Sequence, residues 1–369
     1  MSLPPTKRYG APKAAALGLA SGLLLFLCDA PLAFWPLAFI ALGPLWLAVL
    51  RAPESRTSAL LAGGFMGLGQ ALPLLYTLNF PAFAVAAFAL YYALLWALAA
   101  LAMHWALRPD PSLRRLALGA AVFALADTLG CFLLPIWGTA QSFTKTFSNA
   151  PFFAQPAALF GQTGLAFFCA FIAGLLVWPQ RRRALALLAG VFAGYLALCA
   201  ALFWASADAP QTPSLKVAAA GWDRERVRIG EWADPERLFR EHFKPLFDQA
   251  AAQNVDLILT PEYGADLFAW QRERFLPKIA AYAKEHGVWI ALGYFDKESD
   301  TNRIQVFDEK GMPQGAPYLK NHLIATLEEY KAGDGGLRVV EVKGFRLGMM
   351  ICQDDNYLDL ARGYRALGV

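Results

Sequence analysis

The sequence predicts a multi-pass α-helical membrane domain followed by an α/β domain. Three observations carry this. Hydrophobic residues make up 57% of the 369 positions and charged residues 17%, against about 45–50% and about 25% in soluble domains. Apolar runs of bilayer-spanning length fill the chain up to about residue 205. Beyond them strand-like and helix-like patterns alternate, the signature of an α/β domain. Together these exclude a disordered chain and a wholly soluble enzyme.

A hydrocarbon core needs about 20 apolar residues per helix. Seven segments qualify, at roughly 12–28, 33–50, 57–78, 82–107, 113–134, 153–178 and 184–205. Asp29-Ala30-Pro31 separates the first two as a turn. Lys7, Arg8 and Lys13 before an apolar run would suit a signal peptide, but no small-x-small cleavage site follows, so a retained first helix is expected. One set of alternate connections holds Lys7, Arg8, Lys13, Arg51, Arg56, Arg108, Arg114, Arg115 and Arg181 to Arg183, and the opposite set holds only Lys145. The positive-inside rule makes the first set cytoplasmic. Seven crossings then put residues 206 onward on the outer face, the periplasm of a Gram-negative cell. The net charge of +4 therefore reflects orientation and gives no argument for nucleic acid. Segment 135–152 is too polar to span and is expected on the outer side, as a lipid-facing mouth or an interfacial loop. Asp127 falls inside the fifth segment, where an acid is costly and is either functional or bonded to a neighbouring helix.

Residues 206–214 read as a linker rich in Pro and Ser, which divides the chain into a membrane domain at 1–205 and a second domain at 215–369. In the latter, Leu215–Ala220 and Val255–Thr260 read as buried strands. Asp234–Gln253 reads as an amphipathic helix that Pro245 should kink. A helix at 271–286 ends near Gly287, and Val288–Leu292 is a further strand. Arg303–Phe307 with the turn Asp308-Glu309-Lys310-Gly311 suggests a hairpin. A second hairpin joins Leu337–Val342 to Phe345–Ile351 through Lys343-Gly344, and a helix at about 357–367 comes last.

Four of the five cysteines, Cys28, Cys131, Cys169 and Cys199, lie in apolar stretches, and no zinc-type spacing exists. A disulfide framework and a structural metal are not expected, nor is a cofactor. Three residues stand at or just beyond strand ends, where α/β folds place active groups: Glu262, Lys320 and Cys352. Singly, each has an ordinary reading as a turn acid, a solvated lysine and a small buried hydrophobe. Together they are complementary. A cysteine is only a few per cent thiolate at neutral pH; a carboxylate can take its proton, and an ammonium can stabilise the thiolate and then an oxyanion. The three suffice for covalent acyl transfer.

The order Glu–Lys–Cys with these flanks resembles the nitrilase, or carbon–nitrogen hydrolase, superfamily. Seven membrane segments ahead of such a domain resemble the apolipoprotein N-acyltransferases of bacterial inner membranes. The likeness extends to Leu-Ala-Ser-Gly and Phe-Trp-Pro-Leu-Ala-Phe-Ile in the first helical pair, to Pro-Ile-Trp-Gly-Thr-Ala-Gln-Ser and Leu-Phe-Gly-Gln-Thr-Gly-Leu in the middle section, and to Tyr318-Leu-Lys-Asn-His-Leu. The resemblance implies an αββα sandwich for the second domain and a two-step reaction. Cys352 would attack a phospholipid acyl ester and pass the chain to the α-amine of a diacylglyceryl-cysteine lipoprotein. Glu262 would be the general base and Lys320 would stabilise the oxyanion. Glu328, eight residues after the lysine, would assist, and Trp232, Gln353 and Asp354 would meet substrate.

The chain departs from the family pattern in several places. Gln353 and Asp354 stand where the family has an aromatic and a Glu, and Ala325-Thr326-Leu327 replaces Pro-Phe-Gly. The stretch from Glu328 to Cys352 is short, and the arginine expected just after Asp127 is absent. The sequence ends at Val369, seventeen residues past Cys352, so a C-terminally incomplete sandwich from a gene fragment or premature stop is expected. Two other readings stand beside the acyltransferase: a membrane-tethered amidase with water as acceptor, and a non-catalytic membrane protein.

Overall fold

The computed structural model describes residues 9–28, 32–51, 55–72, 82–108, 112–133, 138–207, 213–221, 234–324 and 327–369. The chain divides into two compact units, Met1–Pro210 and Gln211–Val369.

The first unit is helical. Its elements are α1 (Ala11–Cys28), α2 (Gly43–Arg51), α3 (Arg56–Gln70), α4 (Ala82–Ala106), α5 (Leu113–Leu133), α6 (Ala157–Leu176) and α7 (Arg181–Ala207). Among the described residues five helices are long and apolar enough to cross a membrane: Ala11–Cys28, Ala82–Ala106, Leu113–Leu133, Ala157–Leu176 and Arg182–Ala205. The segment expected at 33–50 is not one helix. Trp35–Phe39 is a 3₁₀ turn and α2 starts afresh at Gly43. Pro36 and Pro44 explain the break, since proline fits the first turn of a helix but not its interior. Ser21 on α1 ties this corner down, donating to the Ala41 carbonyl at 2.7 Å and accepting from the Leu45 N–H at 2.9 Å. The segment expected at 153–178 is also divided, into a single turn at Pro151–Ala154 and α6, with Gly161 at φ 64° breaking the latter.

With no water to expel, helices in a bilayer associate through close packing of small residues. A Cβ at Gly18 of α1 would lie 1.9 Å from the Ala62 carbonyl oxygen of α3, and one at Gly63 of α3 would lie 2.0 Å from that of Trp96 in α4. Trp46 of α2 fills the space left by Gly119 and Gly174 and donates its indole N–H to Ala170 at 2.8 Å. Residues 138–149 form two 3₁₀ turns, Gly138–Gln141 and Phe143–Asn149. Ser142 between them donates to Asp127 of α5 at 2.5 Å. Asp127 also accepts a hydrogen bond from the Phe143 backbone, so this buried acid anchors the two turns to α5.

The second unit has strands β1 (Val217–Ala219), β2 (Leu257–Leu259), β3 (Asp266–Leu267), β4 (Trp289–Asp296), β5 (Thr301–Phe307), β6 (Tyr318–Leu319), β7 (Val339–Val342) and β8 (Phe345–Gly348). The sheet runs β1-β2-β4-β5-β6, with β3 also on β4; β1, β2, β3 and β4 are parallel, β5 and β6 antiparallel. Helices α8 (Pro235–Leu238), α9 (Lys244–Ala251), α10 (Ala269–His286) and α11 (Leu358–Ala366) complete the unit. The strand alternation sorts side chains to two faces. Ile258, Ile290 and Leu292 join Phe243, Phe247, Phe275 and Ile279 of the helices in one core. Leu257, Trp289, Ala291 and Val306 join Val340 and Val342 of the β7–β8 hairpin in another.

Pro245 does disturb its helix: a π turn, Phe239–Phe243, separates α8 from α9. The wider turn accommodates a residue that lacks an N–H and crowds the preceding carbonyls. The hairpin expected after Arg303–Phe307 reduces to a bridge between Phe307 and Pro313, and β6 at 318–319 is the real partner of β5.

Candidate active site

Glu262 stands on an excursion of the chain between β2 and β3. Thr260 still bonds to β4, its N–H donating to the Ala291 carbonyl at 3.0 Å and its hydroxyl accepting from the Gly293 N–H at 2.8 Å. The chain then turns over Pro261–Gly264 and rejoins β4, where the Phe295 N–H donates to the Ala265 carbonyl at 2.8 Å. The turn packs onto Gly293: a Cβ there would lie 2.4 Å from the Pro261 oxygen and 3.4 Å from the Glu262 Cα. A side chain at this position would lift the acid out of the site.

Lys320 follows β6. Its N–H donates to the Asn302 carbonyl of β5 at 2.9 Å, and its side chain is fully buried. The ammonium donates to Glu262 Oε1 at 2.9 Å and Glu328 Oε1 at 2.7 Å. Glu328 is held in turn by the Ile324 N–H on its Oε2 at 2.8 Å. Burial pulls the Lys320 ammonium down. The bonds to Glu328 and Glu262 and their charge more than reverse this, leaving it above the ordinary lysine range.

Cys352 does not end a strand, as expected, because β8 stops at Gly348. It opens a 3₁₀ turn, Cys352–Asn356, with φ 46°, in the left-handed region. A non-glycine residue there is strained and persists only where its surroundings over-determine it. The residue is exposed, yet enough protein surrounds its sulfur for desolvation to push the thiol up to about 11. The Glu262 charge and a hydrogen bond to Glu262 act the same way, and Lys320 opposes them. The structure thus brings Glu262, Lys320, Glu328 and Cys352 together.

Other expected site residues fall elsewhere. Trp232 lies outside the described residues. Gln353 and Asp354, expected to meet substrate, are buried with internal partners: Gln353 Oε1 accepts from Asn356, and both oxygens of Asp354 are occupied by protein donors. Sequence reasoning missed Asn302, which is buried on β5 and donates to Glu262 Oε1 at 2.6 Å and to the Tyr330 hydroxyl at 3.4 Å. Its Oδ1 is buried with no hydrogen-bond partner among the described residues. It also missed the aromatic wall beside Glu262, where Tyr263 stacks on Phe295 at 5.2 Å and Tyr330 meets both rings edge-on. The polar pair Thr301-Asn302 at the head of β5 was the available signal. Among the described residues no group of three His, Cys, Asp or Glu side chains could hold a metal ion.

Comparison with known proteins assigns both units. Residues 21–175 match the family described as "Apolipoprotein N-acyltransferase N-terminal domain", and residues 216–369 match "Carbon-nitrogen hydrolase". The chain belongs to the apolipoprotein N-acyltransferase family. An "Apolipoprotein N-acyltransferase" of Azotobacter vinelandii is 28% identical over 406 residues, covering 95% of this chain and 74% of that protein. A "Hydrolase in pqqF 5'region" of Pseudomonas protegens is 33% identical over 90 residues, 23% of this chain and 31% of the relative. Among solved structures, an amidase from Nesterenkonia sp. is similar at a TM-score of 0.35 and 20% identity, over 40% of this chain and 59% of the amidase. This family member therefore joins a unit that holds, among its described residues, five helices long and apolar enough to cross a membrane to a carbon–nitrogen hydrolase unit.

Proposed function

We propose that the chain is a phospholipid-dependent N-acyltransferase of lipoproteins that works through a Cys352 thioester. The observation that carries this reading is the convergence of Glu262, Lys320 and Cys352 in a chain whose first half matches the acyltransferase N-terminal domain. In the first step Glu262 takes the thiol proton as sulfur attacks the ester carbonyl. Lys320 stabilises the oxyanion. The ester C–O bond breaks and the lysophospholipid alkoxide receives the proton from Glu262. In the second step the lipoprotein α-amine attacks the thioester and gives up a proton to Glu262. The C–S bond breaks and the thiolate is reprotonated. Glu328 orients the lysine. A thiol held near 11 is almost wholly protonated at neutral pH, so a carboxylate base at the sulfur is required.

The same reading has the chain cross the bacterial inner membrane seven times, using the five long helices, α3 and the Trp35–Arg51 segment. The arginines near 51, 56, 108, 114, 115 and 181–183 then face the cytoplasm, and the hydrolase unit faces the periplasm. Both substrates are lipids, which fits a hydrolase unit fused to a bilayer-embedded one.

The test supplies a phospholipid with one isotopically marked acyl chain, together with a diacylated lipopeptide. N-acylated lipopeptide is the expected product. Free fatty acid alone, with the lipopeptide unchanged, would replace this reading with hydrolysis by water.

A further inference from the structure

Asp354 is fully buried, two residues past Cys352. Its Oδ1 accepts from the backbone N–H of His322 at 2.8 Å and of Asn321 at 3.1 Å. Its Oδ2 accepts from the Tyr318 hydroxyl at 2.7 Å and from the Ile351 N–H at 3.1 Å. A carboxylate has about four lone-pair sites, and these four donors, with the His322 ring sharing Oδ1 as a fifth, leave none open. Three of those donors flank Lys320 in sequence, and the fourth is the residue before Cys352. The imidazole of His322 adds a second tie. Its Nδ1 lies 3.1 Å from Asp354 Oδ1, and its ring stacks on Tyr357 at 3.7 Å between centroids and 10° between planes. On the far side its Nε2 is 3.8 Å from the exposed Asp359. Nothing else named in the site joins the lysine segment to the cysteine turn by side-chain hydrogen bonds to backbone of both.

We propose that Asp354 and His322 are positioning residues that fix the Lys320 segment against the strained Cys352 turn, and so set the ammonium at the distance the sulfur and the oxyanion require. The carboxylate has no capacity left for substrate. An asparagine would present an NH₂ to donors on one side, so charge and acceptor number both matter. This inference rests on the reading of Cys352 and Lys320 as reacting partners, but its test reads the thiol itself and does not depend on any lipid substrate.

The test uses the full chain in nanodiscs and measures the second-order rate of Cys352 alkylation by iodoacetamide from pH 7 to 10, alongside the thermal midpoint. The other four cysteines are buried, so Cys352 reports first. Loss of register by about 1 Å can cost up to about 10²-fold in a positioned reaction. Asp354→Asn should slow alkylation about tenfold at pH 8. Asp354→Glu should recover part of that, and His322→Phe, which keeps the stack on Tyr357 but loses the N–H, should fall between. Asp359→Asn should leave the rate unchanged. The deciding readout is the pair Lys320→Met with His322→Phe. If His322 acts through the lysine, the double variant alkylates at the Lys320→Met rate. Additive losses in the pair, or a wild-type pH–rate curve in folded Asp354→Asn, would overturn the proposal. Should Asp354→Asn not fold, the His322→Phe pair decides alone. If lipid turnover is absent from the wild type while these alkylation differences hold, the acyltransfer reading fails and the positioning role stands.

Discussion

The two units bury polar groups for different ends. In the membrane unit the buried polar side chains are mostly hydroxyls and an amide, such as Ser21, Ser142, Thr144 and Gln141, with one acid, Asp127. Ser21 and Asp127 repair breaks in the backbone, at the α1–α2 corner and at the 3₁₀ turns of 138–149. In the hydrolase unit the buried polar groups include charged ones, Asp296, Lys320 and Asp354, that each gather several partners, beside neutral side chains such as Gln271, Asn302 and Gln353. Asp296 holds Arg272 and Arg303, Asp354 holds the lysine segment, and Lys320 lies between Glu262 and Glu328. In the first unit helices approach closely at glycines, and in the second, beside its two apolar cores, buried carboxylates collect donors. Damage in the first should therefore cost stability without touching the chemistry, and damage in the second should do both.

The largest expected break is Lys320→Met. It removes the shared cation, and truncating one partner of a buried ion pair typically costs about 3–5 kcal/mol. Turnover should drop about 10²–10³-fold, the usual loss for an oxyanion donor, and chemical unfolding should show the stability loss in the hydrolase unit alone. Retained turnover would remove Lys320 from the chemistry.

The pH dependence of Cys352 comes next. Its thiol stands at about 11, above the ordinary value near 8.5, so at pH 8 it holds roughly two-hundredfold less thiolate than a free cysteine. Alkylation should be slow at neutral pH and climb without a plateau through pH 10. A plateau near pH 8 to 9 would show that the ammonium outweighs desolvation and the acids.

Asn302→Ala should have a smaller effect, about tenfold in turnover. It frees Glu262 Oε1 from one of its two donors, and the change should appear in kcat rather than KM. Gly63→Val should be smallest in chemistry. The added side chain would meet the Trp96 carbonyl, and overpacking of this kind costs about 1–3 kcal/mol. It should lower the thermal midpoint of the membrane unit and leave Cys352 alkylation unchanged. A change in alkylation would tie the site to the helix packing.

Much of this was legible in the sequence. Hydropathy marks the helices because in lipid the apolar length of a segment is nearly the whole signal. It failed where prolines and glycines interrupt an apolar run, at Pro36 and Pro44 and again at Gly161. The order Glu262, Lys320, Cys352 was legible because the α/β alternation puts each near a strand end. Asn302 was not, since a polar residue in a strand gains meaning only once β5 is seen beside the Glu262 turn. Asp354 read as a substrate group because its sequence position is next but one to the thiol. Its four donors come from segments more than thirty residues away, apart from Ile351, and only the fold reveals that they converge.

The most direct test of the central claim is the intact mass of the protein taken from its native membrane, before and after hydroxylamine. A covalent adduct of fatty-acyl mass that hydroxylamine removes, and that Cys352→Ala lacks, is the predicted result. A chain with no adduct in the presence of phospholipid and without acceptor, or an adduct that persists in Cys352→Ala, would contradict a Cys352 thioester.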